Sequence, residues 1–197
     1  IPIDPNDLKH LHKVMDWAAT AVLMLAYKPR YGRRQALCFA EALTIMGQSN
    51  ILELAEQSMG FTEINDNDID SMRNQWLKIF RAAGKFHQGY WDCDRSAHPF
   101  KEQYYMDGFE TLASSGQARA SLFLMEYTAA AAFNQIITHA PPEAAEPHVM
   151  QYTRWLEITG KGCLTHFSDR LEQLSELLQR VEYLIYEFAG ENGIIYE

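Results

Sequence analysis

The 197 residues are 47% hydrophobic and 22% charged, which supplies a full apolar core and excludes a disordered chain. A formal charge of −9 and a pI near 5.2 set a repulsive background for nucleic acid and anionic lipid, leaving basic or neutral partners. Cys38, Cys93 and Cys163 are odd in number and far apart, unlike a secreted disulfide framework, so a reducing, cytoplasmic setting is expected.

Asp4 followed by Pro5 reads as an N-cap with proline at the first helical position, and Leu8, Leu11, Val14, Met15, Ala18, Val22 and Leu25 continue at helical spacing to about Lys28. The uncharged run from Trp17 to Tyr27 is too short to cross a bilayer, so no membrane span is expected; the start at Ile1 leaves room for an upstream segment. The basic stretch Lys28, Arg30, Arg33 and Arg34 reads as a solvated junction between helices. A second helix is expected from about Tyr31 to Met46, and a third, capped by Asn50 with Glu53 three residues on, stops at Gly60.

The acidic segment Asn65 to Asp70 forms the first turn of a helix carrying Met72, Trp76, Ile79, Phe80, Ala83, Phe86 and Tyr90 on one face. Gly89 to Pro99 is the longest irregular stretch. Pro99 then opens a helix reaching about Ser114, and another runs from Ser115 and Gly116 to Ala140, stopped by Pro141 and Pro142. Within it, the small residues Ala129 to Ala132 predict a contact line for a neighbour such as the C-terminal helix. Pro147 is expected to open a helix ending at Gly160.

The last helix, from Leu164 to its close at Gly190, carries Leu164, Phe167, Leu171, Leu174, Leu178, Val181, Ile185 and Phe188 at alternating spacings of three and four, with Leu177 and Leu184 widening the seam. No run alternates like a strand. The fold class is therefore all-α: a single domain, 1–197, forming a helical bundle of about seven or eight helices with a long C-terminal core helix.

Three apolar helices each hold one acidic residue in a long stretch free of other formal charges: Asp16, Glu41 and Glu126. Buried carboxylates are costly unless paired, which makes such positions functional candidates. Asp16 falls in line with Lys9, His12 and Lys13, which reads as a solvated stripe, and Glu41 shares a polar edge with Thr44 and Gln48. Glu126 is flanked by Phe123, Ala130 and Phe133, with Tyr127 following, and is the leading candidate; a Tyr or Arg is its expected structural partner. With Tyr127, His139 and Glu41 it makes up the ligand-binding set.

The residues three past Glu41 and Glu126 are Thr44 and Ala129, so the di-iron spacing of four-helix carboxylate proteins is missing. His87, Asp92, Cys93 and His98 concentrate metal-ligand types around the irregular stretch without paired Cys or His spacing; His98 also suits the cap of the helix opened by Pro99. Asp66, Asp68 and Asp70 begin like a calcium loop, but Ser71 and Leu77 stand where glycine and glutamate are needed. Leu54 to Thr62 suggests a helix-turn-helix, yet the acids that follow would repel DNA.

The expected function is an acidic helical binding protein of adaptor, inhibitor, immunity or chaperone type, recognising a basic protein partner, with Tyr90, Trp91 and Phe100 as anchors. The alternative is a metal-dependent or small-ligand-binding enzyme whose interhelical pocket surrounds Glu126 and is closed by Glu126, His139 or His87. Ile194, Ile195 and Tyr196 offer a surface on which a second copy could dock as a homodimer.

Overall fold

The computed structural model describes residues 4–29, 34–86, 95–158 and 164–193, leaving aside the side chains of residues 63 and 164–166. Among them are eight α-helices joined by short 3-10 turns, and no strand. Helix α1 (Pro5–Leu25) starts where the sequence places it, with Asp4 accepting a 2.7 Å hydrogen bond from the Asn6 amide. Leu8, Leu11, Met15, Ala18, Val22 and Leu23 bury one face of it, as the helical period requires.

Helix α2 (Gln35–Ile45) lacks a side-chain cap; Gln35 at its first turn donates instead across to the Asp16 carbonyl and the Thr20 hydroxyl of α1, both at 3.2 Å. Helix α3 (Ser49–Ser58) begins one residue before the expected Asn50 cap, with Gln48 at the N-cap and no side-chain bond. Gly60, at φ 69°, takes the left-handed conformation that lets the chain leave α3 for the 3-10 turn Phe61–Glu63.

Helix α4 (Asp66–Gly84) has Asn65 as its N-cap and the acidic first turn read from the sequence. Its last residue, Gly84, lets the Pro99 ring approach closely: a Cβ there would lie 3.2 Å from that ring, a tighter contact than side chains usually make. Tyr90, expected on this helix, lies outside the described residues. His98 Nδ1 accepts the Phe100 amide at 3.3 Å, capping a 3-10 turn, Pro99–Lys101, that precedes α5 (Glu102–Ser114).

Helix α6 (Ser121–His139) starts later than expected, after a 3-10 turn at Ala118–Ala120. It packs chiefly against α4 and α1, with α7 (Pro142–Ile158) alongside. Ala129 to Ala132 are 0–1% exposed, and their missing side-chain bulk admits α1 and α4, whereas the expected neighbour, α8 (Leu164–Glu191), packs mainly on α3 and α1. Trp76 of α4 stacks on Phe80 and donates its indole N–H to Thr128 of α6 at 2.7 Å.

Two further expectations are corrected. Pro142 begins α7, and Pro147 lies inside that helix; Glu143, whose carbonyl loses its partner, is exposed, so water can replace the bond. In α8 the buried line is Arg170, Leu174, Leu177, Val181 and Leu184, while Leu171 and Leu178 are 45% and 39% exposed. Leu174 and Val181 of the expected seam stay buried, and the widening residues Leu177 and Leu184 complete it in place of Leu171 and Leu178, because α3 and α1 cover that side of the helix. One contiguous apolar cluster takes residues from all eight helices.

The rotated seam predicts that Leu177→Ala lowers unfolding free energy by about 2–5 kcal/mol, whereas Leu178→Ala costs under about 1 kcal/mol. Chemical denaturation of the two variants checks this; equal losses would return the seam to its expected line.

Candidate functional site

Helix α1 presents Lys9, His12, Lys13 and Asp16 on one side, and this stripe is not simply solvated. It forms a wall of a cavity of about 740 Å3 bounded by α1, α2, α5 and α6. Phe39 of α2, Tyr104 and Tyr105 of α5, and Phe123 and Tyr127 of α6 contribute the aromatic lining. Such a volume lies within the range of about 300–1,000 Å3 common to small-molecule sites.

His12 is 5% exposed and Glu126 is 0% exposed, and His12 Nε2 lies 2.8 Å from Glu126 Oε2. A partner of Glu126 is thus a histidine on α1, 114 residues earlier in the chain. A carboxylate only accepts, so Nε2–H must donate, and in the neutral ring Nδ1 then carries the lone pair. Nδ1 has no hydrogen-bond partner among the described residues and is not sealed from the cavity that His12 lines. The pair therefore places an acceptor at the cavity wall and its counter-charge behind it.

Tyr127, on the turn that carries Glu126, has its ring centroid 6.1 Å from that of His12. Ser96 donates to its phenol oxygen at 3.3 Å, and both residues line the cavity. Lys13 stands 5.5 Å from the centroid of the Trp17 ring, a cation–π contact that holds the ammonium near the opening. Lys9 and Lys101 complete three lysines against one lining acid, Asp16, among the described residues.

Behind Glu126, the Tyr152 hydroxyl is buried and makes no hydrogen bond among the described residues. Burial first, then the negative charges of Glu126, Asp4 and Asp7, push its pKa far above the usual phenol value, so it is a neutral phenol throughout the working pH range. Cys38 is likewise no nucleophile: burial, and then Glu41, push its thiol pKa up.

The structure separates the remaining candidates. Glu41 is exposed on α2 and does not line the cavity. His139 lies 13 residues beyond Glu126 on α6, about 20 Å along the axis, and is also outside the lining. Of the metal set, His87, Asp92 and Cys93 lie outside the described residues, and His98 is buried with Nδ1 engaged as a cap. No group of three or more His, Cys, Asp or Glu suited to a metal occurs among the described residues. Tyr90, Trp91, Ile194, Ile195 and Tyr196 also fall outside them, while Phe100 is 88% exposed. No described helix is long and apolar enough to cross a membrane.

His12 was missed because its partner is on a distant helix. Its sequence signal was present: His12 falls on the buried period of Leu8, Leu11 and Met15, where a polar side chain needs an answer.

Glu126→Leu should lower stability by about 1–3 kcal/mol by stranding a buried imidazole. Combining it with His12→Leu should recover much of that loss, measured as a double-mutant cycle in urea; strictly additive losses would mean the two groups do not interact. Tyr152→Phe should leave stability unchanged or raise it by up to about 1 kcal/mol, since it removes a buried hydroxyl without a bond. A thermal melt showing clear destabilisation would reveal a hidden partner for that hydroxyl.

No protein-family model matches the chain, and no curated protein or solved structure is significantly similar to it.

Proposed function

We propose that this chain binds a small organic molecule in the cavity between α1, α2, α5 and α6 and moves a proton on it through His12. The observation that carries the reading is that one imidazole is bonded to a fully buried carboxylate and open to a cavity of about 740 Å3. Burying a carboxylate with a polar imidazole costs desolvation free energy, and well-packed apolar side chains would stabilise the core at least as well. A hydrogen-bonded imidazole–carboxylate pair at a cavity wall is placed to move a proton on a bound molecule.

The chemistry follows from the arrangement. Glu126 fixes the ring and favours the imidazolium that forms when Nδ1 takes a proton from an acidic C–H or O–H of the bound molecule. The same Nδ1–H can return that proton to another atom. Tyr127 and Ser96 supply a hydroxyl pair for a polar substituent, and the aromatic walls offer flat apolar faces to the rest.

A protein-binding module for a basic partner is the second reading, supported by the net charge of −9 and by Phe100, whose 88% exposure suits an anchor. It gives no role to the buried pair, and the cavity reading therefore ranks first.

The test is native mass spectrometry of the intact chain against a defined library of small metabolites, followed by product analysis of any that bind. Ala36→Trp, which fills the cavity from α2, should abolish binding. His12→Gln should keep it and slow conversion by about 10²–10⁴-fold, the usual worth of a general acid–base group. Binding that survives Ala36→Trp, or turnover indifferent to His12→Gln, would overturn the proposal.

A further inference from the structure

Resting on that reading, the charge and lining of the same cavity say what kind of molecule it takes. We infer that its ligand is a small aromatic anion, with the charged group met by Lys13 and Lys101 at the opening and the flat body among Trp17, Tyr104, Phe123 and Tyr127.

The chain as a whole is acidic, yet three of its seven lysines, Lys9, Lys13 and Lys101, line this cavity, against a single acid, Asp16, among the described residues. At physiological salt, charges are screened beyond about 8 Å. A charged group bound near Lys13 and Lys101 therefore feels these lysines and little of the exposed carboxylates elsewhere on the surface, while Glu126 lies beyond His12 on the inner wall.

Lys13 and Lys101 form no ion pair with any described residue. Lys13 is exposed and oriented over Trp17; Lys101 is half-buried where the Pro99–Lys101 turn enters α5, on another side of the cavity. Two ammonium groups approaching from different elements suit a carboxylate, sulfonate or phosphate oxygen cluster. The aromatic residues are distributed over α1, α5 and α6, which gives flat faces on more than one side of the body. With the anion held at the opening, the aromatic body extends toward Nδ1 of His12.

The test uses two fluorescent probes that differ only in charge: 8-anilinonaphthalene-1-sulfonate and its neutral counterpart N-phenyl-1-naphthylamine. Each is titrated into the full chain, the Lys13→Met/Lys101→Met double variant, and the cavity-filled variants Ala36→Trp and Leu124→Trp. The double variant is expected to weaken the sulfonate by about fivefold or more relative to the neutral probe, the scale of two partly exposed ion pairs. Both filled variants should lose both probes. An unchanged ratio in the double variant, with both probes still blocked by filling, overturns the anion inference and leaves the cavity reading standing. Probe binding that neither Ala36→Trp nor Leu124→Trp reduces overturns both. Leu124→Trp serves as the second blocking variant should Ala36→Trp not fold.

Discussion

Helix α6 is covered around most of its circumference, so the polar groups it carries into the interior must find answers on its neighbours. Glu126 meets His12 of α1, Thr128 meets the Trp76 indole of α4, and Gln135 donates to the Phe86 carbonyl just past the end of α4 at 3.1 Å. Between them lie Ala129 to Ala132, small and uniform, which permit close approach but give little shape to fix one register over another. Directional bonds supply that choice, since each loses most of its energy when a helix slides or rotates.

The same constraint shapes the cavity. Fixing α1 against α6 through His12 sets the stripe Lys9, His12, Lys13 and Asp16 toward the space left between α2 and α5. Gln35 holds the start of α2 to α1 on one side, and the close contact of Gly84 with Pro99 brings in the chain that leads to α5 on the other. A core bond and a cavity wall are thus made by one side chain. The bond gives the fully buried carboxylate a partner and ties the two central helices together at the cavity wall.

How much of this was legible depends on the range of the interactions. Asp4 and His98 act on amides two residues away, so their capping roles were readable in the local pattern, whereas Asn65, read as part of the acidic first turn, is the cap of α4. The all-α class followed from periodicity sustained over whole segments. Pro147 was misread because proline is compatible with either a helix start or an exposed interior turn, and the distinction rests on whether the freed carbonyl reaches solvent. In α8, Leu171 and Leu178 fit the spacing as well as Leu177 and Leu184 do, and only the surfaces of α3 and α1 decide which side of the seam is covered. Arg170 illustrates the point: its guanidinium is accommodated in the buried line by donating to the Gln57 carbonyl of α3 at 2.7 Å.

The sequence by itself determined the helical class, most of the helix boundaries, the acidic balance and the singular position of Glu126, because each of these depends on composition or on residues within a turn or two of one another. The tertiary structure alone decided that Glu126 answers His12, that the lysine-bearing stripe of α1 lines a cavity, and that Glu41 and His139 stand apart from it. Those are contacts between segments separated by tens of residues, and their geometry is set by how whole helices pack, which no local pattern encodes.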